Sequence, residues 1–112
     1  MLGVKRVSDF TFKNHNIDLL KVQLLRDNLP YAIPQGSTVT ILVALGGTLV
    51  FEEPLEIVDY ENGIVQVEFN TTEFGIGDFK CEYVVTNTNL HLTFPDNGYD
   101  AIKVMPSLKD RK

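Results

Sequence analysis

The feature that most constrains this chain is a period of two. In Phe79-Lys80-Cys81-Glu82-Tyr83-Val84-Val85-Thr86 the apolar Phe79, Cys81, Tyr83 and Val85 alternate with Lys80, Glu82 and Thr86. Side chains alternate across a sheet, so this pattern puts one face on a core and the other in water. Val65-Gln66-Val67-Glu68-Phe69 and Leu90-His91-Leu92-Thr93-Phe94 repeat it. Val39, Ile41, Val43 and Leu45 do the same, with Thr38 and Thr40 facing away. Turn signals separate the runs. Gly46-Gly47 reaches positive φ without steric cost, and Asn62-Gly63 is a strong hairpin signal. Asn87-Thr88-Asn89 reads as a third hairpin, Asp27-Asn28 breaks the run from Ile17, and Pro95-Asp96-Asn97-Gly98 is a turn by composition. Pro30 and Pro34 bound a piece that belongs at an edge or in a loop, since proline cannot donate to a ladder.

These signals predict about seven or eight strands, drawn from runs near 4–12, 17–26, 38–45, 48–51, 55–60, 64–70, 78–86, 90–94 and 99–105. Strands at this spacing suggest an antiparallel sandwich or barrel. One helical turn fits at Thr71–Gly75, with threonine as N-cap and glycine as stop. Phe10, Phe12, Phe69, Phe79 and Phe94 read as core. The first run is ambiguous, because Val4 and Val7 are out of phase with Phe10 and Phe12. Residues 1–106 read as one domain and 107–112 as a charged C-terminal tail.

At 112 residues and 44% hydrophobic content, one core suffices without disulfides. A formal charge of -5 disfavours nucleic acid, whose binding relies on basic groups. The start of the chain lacks the apolar stretch of a signal peptide, and no run approaches the ~18 apolar residues of a membrane span. The chain is expected to be made in the cytoplasm.

No catalytic constellation emerges. Cys81, the single cysteine, falls on an apolar strand face and reads as a small buried hydrophobe. His15 lies in a polar loop, and His91 points away from the core. Two distant histidines and a buried thiol make no metal site. The adjacent Glu52 and Glu53 face opposite ways, so they do not converge on a substrate. Neither glycine pair forms a phosphate loop. The expectation is no enzyme, no cofactor and no metal. Tyr31, Phe51, Phe74 and Tyr99 are the candidate partner contacts if exposed, because aromatic anchors dominate protein interfaces; the alternative is that they cap the ends of the sandwich.

Three pieces of the sequence resemble a known family. The first runs through Ile17–Leu24, Asp27-Asn28-Leu29-Pro30-Tyr31-Ala32-Ile33 and Gly36–Ile41, with Asn28 where glycine is usual. The second is Ile57-Val58-Asp59-Tyr60-Glu61-Asn62-Gly63-Ile64-Val65. The third joins Gly77–Tyr83 to Leu92-Thr93-Phe94-Pro95-Asp96-Asn97-Gly98-Tyr99 and is the most specific. Together they are similar to the N-terminal domain of phage baseplate upper proteins and to related small tail proteins of phages and prophages of Gram-positive bacteria. The resemblance spans roughly residues 17–106. It implies an immunoglobulin-like β-sandwich acting as a structural adaptor in a virion tail or baseplate, bound to other tail proteins, and it supplies no catalytic residues. In longer members a downstream part trimerises or carries receptor-binding modules; this sequence has no heptad stretch, although a homo-oligomer is compatible with the family. A second reading is an immunoglobulin-like module that recognises a cell-wall glycan or host receptor through the loop aromatics.

Overall fold

The computed structural model describes residues 1–8, 11–73 and 75–108. Phe10 and Phe74 fall outside them, as do residues 109–112 of the expected tail. The chain folds into two packed sheets. The strands are β1 (Leu2–Arg6), β2 (Thr11–Lys13), β3 (Ile17–Arg26), β4 (Leu29–Pro30), β5 (Thr38–Leu45), β6 (Thr48–Pro54), β7 (Glu56–Asp59), β8 (Ile64–Asn70), β9 (Gly77–Asn87), β10 (Leu90–Phe94) and β11 (Asp100–Met105). The first sheet has the order β1-β3-β8-β7, with β4 paired to β3. The second has the order β2-β11-β9-β5-β6, with β10 paired to β9 beyond the end of β11. All pairings are antiparallel except β2 with β11. This is the strand order of an immunoglobulin-like sandwich.

Between the sheets lie the alternating residues of the long strands. Leu20, Val22 and Leu24 of β3, Val65 and Phe69 of β8, Val39, Ile41 and Val43 of β5, and Phe79, Cys81, Tyr83 and Val85 of β9 are all buried. Phe12, Phe69, Phe79 and Phe94 occupy the core, as their phase predicts. Leu45 does not: it is 41% exposed, because it sits at the hairpin tip past the last pairing of β5 with β9, at Ala44–Lys80.

The eleven strands exceed the expected seven or eight because long strands are interrupted. The run 4–12 is two strands in different sheets. β1 pairs with β3 from Leu2–Arg26 to Arg6–Val22. The N–H groups of Val7 and Ser8 then both reach the Lys21 carbonyl, at 3.0 and 3.1 Å. The Ser8 hydroxyl accepts the Lys21 N–H at 2.8 Å, which ends the ladder. The chain crosses over and resumes as β2 beside β11. The mismatch in phase between Val4 and Phe12 is this change of sheet. The return crossing, from β6 to β7, is pinned by buried Leu55, whose N–H donates to the Val39 carbonyl at 2.7 Å.

The turns follow their chemistry with two corrections. Gly46 and Gly47 both take positive φ, 57° and 83°, as a two-residue hairpin requires. Asp27 and Asn28 do the same at 52° and 67°, so the turn tolerates asparagine where glycine is usual. The Asn62-Gly63 turn is longer than a two-residue hairpin. Asp59 accepts from the N–H groups of Glu61 and Asn62 at 3.0 and 3.1 Å and from the Asn62 amide at 2.8 Å, so an aspartate-capped loop closes it. Only Gly63 takes positive φ there, at 68°. The second correction concerns the 3-10 turn Thr71–Glu73. Asn70 Oδ1 caps it by accepting from Thr72 N–H at 3.1 Å. Thr71 is fully buried instead. Its hydroxyl lies 2.9 Å from the Lys13 carbonyl and 3.1 Å from that of Asn16, and accepts the Asn16 N–H at 2.9 Å. The threonine thus ties the β2–β3 turn to the end of β8.

Gly63 has a second constraint. A Cβ there would meet the backbone carbonyl oxygens of Tyr31 and Leu24, the latter at 2.9 Å, and the Leu24 N–H is already bonded to Gly63 O. The Leu24 carbonyl is held in place by the Tyr31 N–H at 2.9 Å. Gly63→Ala is therefore expected to lower stability by about 2–4 kcal/mol, combining left-handed strain with a backbone clash. Gly36→Ala, at φ 82° with nothing within 4 Å, is expected to cost only about 1–2 kcal/mol. Urea denaturation of both variants checks the difference.

Candidate protein-binding face

The register that buries Phe79, Cys81, Tyr83 and Val85 fixes what the second sheet shows to solvent. Cross-strand partners share a face. Thr40 pairs with Val84, Leu42 with Glu82, and Ala44 with Lys80. Across β6, Leu42 meets Glu52 and Ala44 meets Leu49. Across β10, Val84 meets Thr93 and Thr86 meets His91. The outer face therefore carries an apolar strip through Leu49, Ala44, Leu42 and Val84, flanked by threonines. Leu42, Ala44 and Val84 are half-buried by their neighbours.

Two open depressions lie side by side on this face and share Leu42 and Glu82. One is bounded by Gly47, Leu49, Lys80 and Tyr99, the other by Glu52, Thr86, His91 and Thr93. Tyr99 is 61% exposed, and Lys80 Nζ stands 5.1 Å from its ring centroid, a cation–π contact at the rim. The surface is shallow, and its apolar strip runs beside Glu82 and Lys80 of central β9.

The candidate contact residues are scattered. Tyr99 alone borders this face. Tyr31 is 9% exposed, its ring 5.1 Å from that of Phe94, so it closes the core where β4 folds back on β3. Phe51 is half-buried, edge-on to Phe69 at 6.2 Å, on the inward side of β6. Phe74 lies outside the described residues. The residues that sequence reasoning passed over are Leu42 and Val84. Their signal was present: Ile41-Leu42-Val43-Ala44-Leu45 and Val84-Val85 are unbroken apolar runs, and such runs mark strands covered on both faces.

Beneath β9 lies a polar cluster that faces inward. Tyr83 Oη donates to Asp100 Oδ2 at 3.3 Å, which leaves the Cys81 thiol to donate to Tyr83 Oη across 3.6 Å. Arg6 Nη2 stands 3.5 Å from Asp100 Oδ1 and donates to the Ala101 carbonyl at 3.4 Å. Burial, with the Asp100 charge nearby, pushes the Cys81 thiol up to about 12, far from a nucleophile's range. Burial also pushes the Tyr83 phenol up. His15 and His91 are exposed and belong to separate loops and strands. Among the described residues no group of three or more His, Cys, Asp or Glu side chains converges for a metal.

Solved structures share this architecture. The N-terminal domain of phage TP901-1 ORF48 superposes with a TM-score of 0.60 at 10% identity, over 89% of this chain and 85% of that one. The CARDB domain of the PF1109 protein from Pyrococcus furiosus, solved with di-metal ions, gives 0.50 at 15% identity, over 96% and 94%. The Lin-41 filamin domain gives 0.49 at 14%, over 90% of each chain. The chain has an immunoglobulin-like β-sandwich fold. No family model matches the sequence, and no curated protein matches it. A domain of a phage protein is thus among the structures that share the fold, at an identity that speaks for the fold alone.

Asp100 gives the buried cluster a pH signature. Its pKa is raised, chiefly by burial, with backbone and Arg6 interactions opposing. A raised carboxyl pKa means the folded state holds the proton more tightly than the unfolded one. The ionised group then costs stability above its folded pKa, and that cost disappears as pH falls towards the unfolded value. Asp100→Asn keeps an acceptor for Tyr83 and removes the charge. It is expected to show a higher urea midpoint than the parent at pH 7, with the gap closing by pH 4. An equal midpoint shift at both pH values would place the effect elsewhere.

Proposed function

We propose that this chain is a protein-binding immunoglobulin-like domain that serves as a structural adaptor in a phage or prophage tail or baseplate. The observation that carries the binding role is the apolar strip Leu49-Ala44-Leu42-Val84 on the outer face of the second sheet. An antiparallel sheet facing water alternates to polar residues, and Leu42, Ala44 and Leu49 together with Val84 interrupt that alternation here. The phage setting is supported by the sequence resemblance through Phe94-Pro95-Asp96-Asn97-Gly98-Tyr99. It is also consistent with the fold shared with the ORF48 domain. A non-catalytic role accords with the high pKa of Cys81 and the separation of the histidines. The domain would reside in the virion after synthesis in the bacterial cytoplasm.

The test is solution mass by size-exclusion with light scattering, using the chain alone and mixed with the core tail protein of the same phage or prophage. A co-eluting complex of defined stoichiometry is expected. Leu42→Lys combined with Val84→Lys is expected to weaken it at least ~30-fold, the loss of one central contact cluster of about 2 kcal/mol. Full binding by that variant would remove the face from the model. Saturable binding to host cell-wall polysaccharide, abolished by Tyr99→Ala, would transfer the reading to glycan recognition, since Tyr99 is an exposed aromatic at the rim.

A further inference from the structure

Between Arg26 and Lys80 the sequence contains no lysine or arginine, while acids recur from Glu52 to Asp78. The fold turns this gap into a lateral separation of charge. β6 and β7 are the neighbouring edges of the two sheets on one side of the sandwich, and β1 and β2 are the edges on the other. The β6/β7 edge carries exposed Glu52, Glu53 and Glu56, with exposed Glu68 of β8 beside them. The opposite edge carries exposed Lys5 and Arg6 on β1, Lys13 on β2, and Lys103 on adjoining β11. Beside β1, Asp96 accepts the Leu2 N–H at 3.0 Å and Asp100 pairs with Arg6, while Asp78 stands across from Lys103 in the β9–β11 pairing.

The acidic edge is also open for pairing. Among the described residues β6 is paired on its β5 side only, and β7 pairs with Ile64–Gln66 of β8 and stops short of Val67 and Glu68. There a groove opens between the sheets, lined by Phe51, Val67, Glu53 and Glu68. On the basic edge Leu2 is bonded through its N–H and carbonyl to Asp96. The strand directions agree with edge-to-edge joining. β6 runs opposite to β2 within the second sheet, and β7 opposite to β1 within the first. A copy displaced sideways therefore presents β2 antiparallel to β6 and β1 antiparallel to β7.

We propose that copies of this chain associate head to tail, the acidic β6/β7 edge of one against the basic β1/β2 edge of the next. Charged residues on edge strands ordinarily keep sheets apart. That protection works when both edges carry the same sign; here the signs are opposite, so translated copies attract. The contact is modest. A seven-residue strand is about 23 Å long, and the molecule's short axes are 26 and 24 Å. An edge contact of that size lies at the low end of specific interfaces. Such a heterologous contact builds a ring if its rotation closes and a filament if it does not.

Sedimentation velocity across a concentration series at 25 and 500 mM salt tests this. The weight-average mass is expected to rise with concentration at low salt and to return towards the 12.6 kDa monomer at high salt, because the pairing charges are exposed. Two charge-reversed variants decide the geometry. Glu53→Lys with Glu68→Lys leaves the acidic edge without net charge, because Glu52 and Glu56 remain, and Lys5→Glu with Lys13→Glu does the same to the basic edge, where Arg6 and Lys103 remain. Each alone is expected to stay monomeric while keeping the parent's circular dichroism and melting behaviour. Mixed, they are expected to associate again, at least tenfold more tightly than either with itself. A monomeric parent at every concentration in low salt would overturn the proposal. So would variants that self-associate like the parent, or a mixture that stays monomeric. Leu42 and Val84 are unchanged in all three proteins, so tail-protein binding is read separately from self-association.

Discussion

The structure depends on the register of β9. Its inward residues Phe79, Cys81, Tyr83 and Val85 are almost wholly excluded from solvent, and every other strand of the second sheet except β2 and β6 is hydrogen-bonded directly to it. A slip of one residue would turn Lys80 and Glu82 into the core and expose four large side chains. The cost of burying those charges holds the register. The same constraint sets Lys80, Glu82, Val84 and Thr86 on the outer face, so the candidate binding surface follows from the core rather than from any local device of its own. Even the Tyr83 hydroxyl, carried inward by that register, is satisfied by Asp100 of the neighbouring strand.

The sequence made most of this legible wherever one face of a strand is wet. Alternation located β3, β5, β8, β9 and β10, and the paired glycines at 46 and 47 located a hairpin whose backbone requires them. It failed where the chain leaves a sheet. At Val7 and Ser8 two N–H groups share one carbonyl, and a side chain replaces the next ladder bond. No periodicity encodes that, although the broken phase between Val4 and Phe12 was its trace. Asn62-Gly63 misled about length, because the Asp59 carboxylate organises the loop. Thr71 misled about role. A threonine before a short turn resembles a cap, yet burial gives its hydroxyl to the carbonyls of Lys13 and Asn16.

The candidate site was less legible, for a physical reason. Aromatic residues in turn-rich segments invite a binding interpretation, but a sandwich also needs large side chains to close its open ends. Tyr31 does that against Phe94, and Phe51 does it against Phe69. The outer face depends instead on aliphatic residues out of phase with the core pattern. Leu42 and Val84 look like extra core in a linear reading. Only pairing shows that they lie back to back with Ile41 and Val85, on the opposite side of the sheet.

Chain order explains why a charge pattern along the sequence becomes one across the molecule. In this topology the first strands and the last are brought together: β1 and β2 lie beside β11 at one side, while mid-chain β6 and β7 form the other. A sequence that has no basic residue between Arg26 and Lys80 and a run of acids from Glu52 to Asp78 therefore leaves the mid-chain flank acidic, while the terminal strands carry both signs. The same composition spread evenly along the chain would give the same net charge and solubility with no lateral polarity. The arrangement places the outer face of the second sheet, with its strip through Leu49, Ala44, Leu42 and Val84, between those flanks, and it meets the acidic one at Glu52.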